Sequence, residues 1–249
     1  MTGNFARIAS SIWPWEVGFL TWNHQPAATE TSSPSLPFTD RAAAGRELAA
    51  RLRHLRLQHP LVLALPRGGV PVGAEVIREL GGTLDVMTTR KIGAPGHPEL
   101  GVGAVAERGE PVIDEDIVAR LGLAREDLQE TIAQERAELQ RRVDVYRGDR
   151  GMPQVAGRDV VVVDDGLATG STARAALRAV AAGAPNVLVL AAPVSAAETA
   201  EALRPEADRM VILASPPGFR AVGQWYESFE QLTDDDVLAL LEDVREGDG

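Results

Sequence analysis

The sequence predicts an α/β fold built on a parallel sheet flanked by helices. Apolar runs such as Leu61–Leu65 and Val160–Val163 show no polar alternation, as expected of strands covered on both faces. Helix-period segments separate these runs, so strand and helix alternate along the chain. Turns rich in glycine and charge follow two of the strands directly, at the edge where ligands of open α/β sheets collect. A chain of 249 residues, 45% hydrophobic and 24% charged, is long enough to bury one full core with a small appendage.

Residues 1 to 38 are expected to form an N-terminal extension and residues 39 to 249 the folded domain. Three of the four tryptophans fall within residues 8 to 22, but Pro14 and Glu16 interrupt that stretch and a single Arg7 precedes it. Neither a signal peptide nor a membrane span fits. The segment reads as a docking strip or, as its composition favours, a poorly ordered extension joined by the linker Ser32-Ser-Pro-Ser-Leu-Pro37. Asp40 can cap a helix running to about His59, with Leu48, Leu52 and Leu55 on one stripe. Leu61–Leu65 reads as a strand, Val70–Leu80 as a helix and Leu84–Thr89 as a second strand. Gly and Pro mark residues 92 to 100 as a loop, with a further strand near Val102–Ala106. Ala124–Tyr146 reads as a long charged helix. Its apolar stripe, Leu128, Ile132, Leu139, Val143 and Tyr146, suits an interface or its own domain equally. Val160–Val163 is a strand, Ala173–Ala182 a helix, and Asn186–Ala192 and Met210–Ala214 complete the strands.

Charge and composition exclude several functions. The formal charge of −11 carries no basic stripe, which argues against non-specific nucleic-acid binding. The chain has no cysteine, hence no disulfide framework or thiolate metal site, in keeping with a cytoplasmic location. His24, His54, His59 and His97 show no metal-ligand spacing.

The chemistry concentrates in Val160-Val-Val-Val-Asp164-Asp165-Gly-Leu-Ala168-Thr169-Gly170-Ser171-Thr172. A buried strand ends in two carboxylates, and a turn of small residues opens a helix whose first N–H groups form an anion site. Carboxylates suit sugar hydroxyls, Gly170 permits close backbone approach, and the hydroxyls of Thr169, Ser171 and Thr172 add donors. A Walker A loop is excluded, because Ser171 and not lysine follows Gly170.

This stretch resembles the phosphoribosyl pyrophosphate (PRPP) motif of type I phosphoribosyltransferases, and the likeness extends over about residues 39 to 232. It implies a Rossmann-like parallel sheet with a small hood region, and transfer of 5-phosphoribose from PRPP to a nitrogen acceptor, a purine, another nucleobase or an unrelated amine, with release of diphosphate. Asp164 and Asp165 would hold the ribose, with Asp165 also catalytic. Ala168, Thr169, Gly170, Ser171 and Thr172 would hold the 5-phosphate. A Mg²⁺ cofactor is implied, bound mainly by substrate and water beside Asp164 or Asp165. The resemblance also implies a homodimer as one assembly, while charge and hydropathy argue against a nucleic-acid or membrane partner.

Three other stretches resemble family elements. Pro66-Arg67-Gly68-Gly69 is similar to the pyrophosphate loop, with Arg67 as a fork for diphosphate and Gly68 and Gly69 exposing N–H groups. In that family one peptide of the loop is often cis, here expected at Arg67-Gly68. Arg90-Lys91 and the following Gly/Pro segment look like the mobile catalytic loop, with Arg90 and Lys91 meeting the leaving diphosphate and His97 as an assistant or a bystander. Phe219, with Trp225 or Tyr226, matches the base-covering segment, or else an aromatic cluster closing the C-terminal end. Hypoxanthine-type members carry an acid where this chain has Ala168. Glu107 resembles the glutamate that adenine-type members place after the mobile loop, and is the candidate for proton handling. Gly101-Val-Gly103-Ala-Val-Ala106 loosely fits a dinucleotide fingerprint, but no strand precedes it. The alternative function is a PRPP- or nucleotide-binding regulatory protein without catalysis on the same fold.

Overall fold

The computed structural model describes residues 34 to 246, so the expected extension lies outside the described residues up to residue 33. Asp40 accepts the Ala43 N–H at 2.7 Å and caps α1 (Arg41–Leu52). The helix stops short of His59 because Arg56 and His59 take left-handed φ values of 52° and 41°. There follow β1 (Leu61–Ala64), α2 (Gly69–Leu80) and β2 (Thr83–Val86). The chain then leaves this layer for β3 (Thr89–Ala94), β4 (His97–Ala106), β5 (Val112–Ile113) and α3 (Glu115–Arg120). α4 (Gln129–Arg147) leads back to β6 (Asp159–Val163), α5 (Ser171–Ala181), β7 (Val187–Val194), α6 (Ala197–Leu203), β8 (Arg209–Ala214) and α7 (Asp234–Glu246).

Five strands form a parallel sheet in the order β2-β1-β6-β7-β8. The chain moves outward from β1 to β2 on one side and from β6 through β7 to β8 on the other. The loops after β1 and β6 therefore diverge, and a crevice opens between their carboxyl ends. Both faces of the sheet are buried, which explains the unbroken apolar runs. Val62, Ala64, Val161 and Val163 pack with α1, α2 and α7, while Leu61, Leu63, Val160 and Val162 face α5 and α6.

β3, β4 and β5 form a separate antiparallel sheet, the hood. The structure corrects the loop expected over residues 92 to 100. That stretch is a β-hairpin turning at Pro95-Gly96, with register shifts around Gly93. A Cβ on Gly93 would lie 2.4 Å from the Pro98 carbonyl oxygen, and Gly96 has φ 75°, so these residues mark a bulged hairpin and its turn. The dinucleotide-like glycines, Gly101 and Gly103, lie inside β4, which leads into β5 and not directly into a helix. The stripe of α4 packs on its own domain, with Leu128 and Leu139 joining Ile92, Ala94 and Val102 in the hood core. A further contact, Ala104 and Val112 against Ala175, seats the hood on α5. Phe38 is buried against Tyr226 and Trp225, where the Phe38 N–H donates to the Trp225 carbonyl at 2.8 Å.

Hood and sheet meet at a buried charge cluster. Arg147 donates to Glu107 at 2.6 Å and to the Val86 carbonyl at 2.7 Å, and stands 3.4 Å from Asp85. Its side chain is 2% exposed, so each partner depends on its charge. Replacement by a neutral chain, Arg147→Met, should strand both carboxylates and cost about 3–5 kcal/mol in urea denaturation.

Candidate functional site

The β1/β6 crevice opens into a cleft of about 580 Å³. Leu65, Pro66, Asp164 and Thr172 form its floor. Thr89, Arg90, Lys91 and the hairpin through Pro98 roof it, and Thr131, Gln134 and Glu135 of α4 close one wall.

The end of β6 treats its two aspartates differently. Asp164 lines the cleft, and one of its oxygens accepts the Asp165 N–H at 2.9 Å. Burial, and then the neighbouring charge of Asp165, hold the Asp164 carboxyl well above the ordinary carboxylate range. Lys91, on the roof, acts in the opposite direction on the same group. Asp165 turns away from the cleft. Its Oδ2 accepts Arg41 Nε at 2.8 Å, and its main-chain oxygen accepts the Tyr226 hydroxyl at 2.6 Å. The Arg41 guanidinium lies 3.8 Å from the centre of the Phe229 ring and also donates to the Glu230 carbonyl. Burial raises the Asp165 pKa and Arg41 opposes that shift. The expected pair of cleft-facing acids is therefore, in this geometry, Asp164 alone.

After the acids, the chain is threaded through tight spaces. A Cβ on Gly166 would meet Val222 Cγ1 at 2.5 Å. Thr199 Oγ1 donates to the Ala168 carbonyl at 2.5 Å, and Gly170, at φ 70°, lies against Thr199 and Leu203. Both the backbone angle and the packing require glycine there. Ala168 and Thr169 are exposed, and Thr169 and Ser171 oxygens stand 3.4 Å apart. Among the described residues, the N–H groups of residues 169 to 173 have no protein acceptor at the start of α5.

The loop after β1 lies beside this turn. The cis peptide is Pro66-Arg67, one bond before the expected Arg67-Gly68. A Cβ on Gly68 would lie 1.8 Å from Asp165 Oδ2, and one on Gly69 would lie 2.6 Å from the Val163 carbonyl oxygen. These glycines thus make room for the β6 turn. The Gly69 N–H already donates to the Leu65 carbonyl at 2.9 Å, which corrects its expected role as a free donor to diphosphate. Arg67 turns from the cleft, donating to the Leu232 carbonyl and lying 3.9 Å from Asp234. On the roof, Arg90 Nε donates to Glu135 Oε2 at 2.7 Å, while Lys91 is exposed with no ion pair among the described residues.

The phosphoribosyl transferase domain model matches residues 38–219 of this sequence. The chain belongs to the phosphoribosyl transferase family. Proteins of two Mycobacterium tuberculosis strains, each provisionally named a phosphoribosyl transferase, are 42% identical over 205 residues, 82% of this chain and 46% of theirs. The chain thus spans about half the length of the curated relatives it matches. The crystal structure of TT1426 from Thermus thermophilus is similar with 45% identity and a TM-score of 0.71, over 83% of this chain and 98% of that one.

Other expected site residues take structural places in this member of the phosphoribosyl transferase family. Phe219 and Trp225 pair with ring centroids 6.0 Å apart, in a cluster with Phe38, Tyr226 and Val222. Neither lines the cleft, so the base-stacking expectation gives way to its alternative, an aromatic cluster closing the C-terminal end. Glu107 is also corrected: its side chain is 6% exposed, is held by Arg147 and the Thr88 N–H, and does not line the cleft. His97 opens β4 and does not line the cleft.

Sequence reasoning missed Arg41, Tyr226 as an Asp165 partner, and the α4 wall. Arg41 meets Asp165 across 124 residues, and no local pattern announces such a contact. The α4 residues carried a signal read only by its apolar half: Thr131 and Glu135 border the stripe, and Gln134 lies away from it. Gly68→Ala should push the β1 loop off Asp165 and cost about 1–3 kcal/mol in urea denaturation. Gly101→Ala, with nothing within 4 Å of the added carbon, is the control and should leave the midpoint near wild type.

Proposed function

We propose that this phosphoribosyl transferase moves 5-phosphoribose from PRPP to a nitrogen acceptor, probed first among nucleobases, and releases diphosphate. The observation that carries this reading is the joint lining of one cleft by Asp164 and by Thr172, which stands at the amide-rich start of α5. A pentose 5-phosphate spans such a pair: hydroxyls to the carboxylate, phosphate to the N–H groups of residues 169 to 173. The hydroxyls of Thr169, Ser171 and Thr172 add donors to the phosphate. Lys91 and the remaining guanidinium N–H groups of Arg90 supply positive charge for the departing diphosphate, where negative charge accumulates in the transition state. The hairpin above them limits access of water to the reacting carbon.

The donor set suits Mg²⁺ in one form only. Among the described residues no cluster of three acids or histidines could cage a metal, whereas Asp164 offers one carboxylate to an ion held otherwise by diphosphate, ribose hydroxyls and water. Such an ion would neutralise charge on the leaving group. Asp165 contributes by position: bound to Arg41 and seated on Gly68, it fixes the turn that presents Asp164.

No described helix is long and apolar enough to cross a membrane. The proposed partners are small molecules, PRPP and a base-like acceptor, and the proposed assembly and location are a homodimer in the cytoplasm. The non-catalytic alternative draws support from the internal engagement of Asp165 by Arg41 and of Arg67 by Leu232, contacts a static binding protein would keep.

A panel of nucleobases incubated with PRPP and Mg²⁺ should release diphosphate and form one nucleotide. Saturable PRPP binding with no turnover across the panel would favour the binding protein instead. Asp164→Asn should weaken PRPP binding at least tenfold, about 1.4 kcal/mol. Unchanged affinity by calorimetry would remove Asp164 from the site.

A further inference from the structure

The transfer reaction needs a group to accept the proton that the acceptor nitrogen loses. Ala168 has no acid, Glu107 is held by Arg147 and the Thr88 N–H, and Asp165 is held by Arg41. Asp164 and Glu135 are the two carboxylates lining the cleft among the described residues. Asp164 belongs to the floor, beside the phosphate turn. Glu135 stands on the α4 wall, with its side chain 22% exposed, and is held there from the roof. Arg90 Nε donates to Oε2 at 2.7 Å, and Oε1 has no partner among the described residues.

Resting on the transfer reaction proposed above, we propose that Glu135 is the catalytic base that takes the acceptor's proton. The nitrogen lone pair forms the bond to the first carbon of the pentose. The bond from that carbon to the diphosphate oxygen breaks, and its electron pair leaves with the diphosphate. The proton of the nitrogen passes to Glu135 Oε1. Arg90 keeps its own proton throughout and positions the carboxylate, a charge-assisted bond that fixes which oxygen is free. Thr131 and Gln134, four and one residues earlier on the same helix, line the cleft and offer a hydroxyl and an amide to the acceptor's other polar atoms. Among the described residues, no aromatic side chain lines this cleft. The acceptor class is accordingly a small nitrogen compound with an N–H and a hydrogen-bonding edge, recognised at that edge and not by stacking.

The test uses the whole chain and three proteins: wild type, Glu135→Gln and Glu135→Asp. Calorimetry with PRPP and Mg²⁺ reads donor binding, and steady-state kinetics use the base that the panel identifies. Gln can still accept the Arg90 hydrogen bond, so PRPP affinity should stay within about twofold. With the base removed, kcat should fall by about 100-fold or more, and Asp should recover part of it. Full kcat in Glu135→Gln overturns the role of Glu135 while leaving transfer intact. A parallel loss of PRPP affinity and kcat also overturns it, since the residue would then only brace the cleft. A wild type that binds PRPP and turns over no base removes the transfer reading and this proposal together, and one that binds no PRPP removes both as well.

Discussion

The reversal of strand order between β1 and β6 is the constraint on which the rest of the structure depends. Both strands are central, parallel and buried on two faces, so their connections have to leave at the carboxyl edge. Because one connection travels toward β2 and the other toward β7, no backbone covers the gap between them. Everything that carries chemistry borders that gap: the Pro66 loop, Asp164 and the turn into α5. The close seating of Gly68 on Asp165 and of Gly69 on Val163 joins the two loops into one surface.

How far the sequence reveals this depends on the range of the interactions involved. Strands with apolar residues on both faces and helices with periodic stripes are local patterns, and the parallel layer followed from them closely. The Asp164 to Thr172 turn was legible for the same reason, since strand, acids, glycine and helix start are contiguous. The hairpin at residues 89 to 106 was not, because Gly93, Pro95, Gly96 and Pro98 carry the same composition in a bulged hairpin as in a loop. Long-range charge pairing was invisible. Glu107 had the right neighbours in sequence for chemistry, but its partner, Arg147, lies forty residues away at the end of α4. The aromatic segment at Phe219 to Tyr226 allowed two readings, and only the fold, by bringing Phe38 beside it, chose between them.

Charge is distributed across the domain by depth. The most buried guanidinium, Arg147, balances two carboxylates and fastens hood to sheet. Arg41 does the same for Asp165 at the other edge of the crevice, and with Tyr226 and Phe229 it fastens the C-terminal segment to the acid turn. Nearer the solvent, Arg90 and Lys91 retain unsatisfied capacity. Buried cations thus hold the framework, while Lys91 and the unused N–H groups of Arg90 can still meet an anion.

The seat of the hood on α5 has a geometric consequence. The buried part of that contact is Ala104, Val112 and Ala175, with Ala106 packed against it, all small side chains. They set the spacing between two slabs as a shim does. The hairpin and α4 share one core, so the upper slab is a single plate, and its height above the phosphate turn is gauged by a few methyl groups. Enlarging Ala104 or Ala175 would therefore act on that height from outside the cavity, at a position that lines none of it.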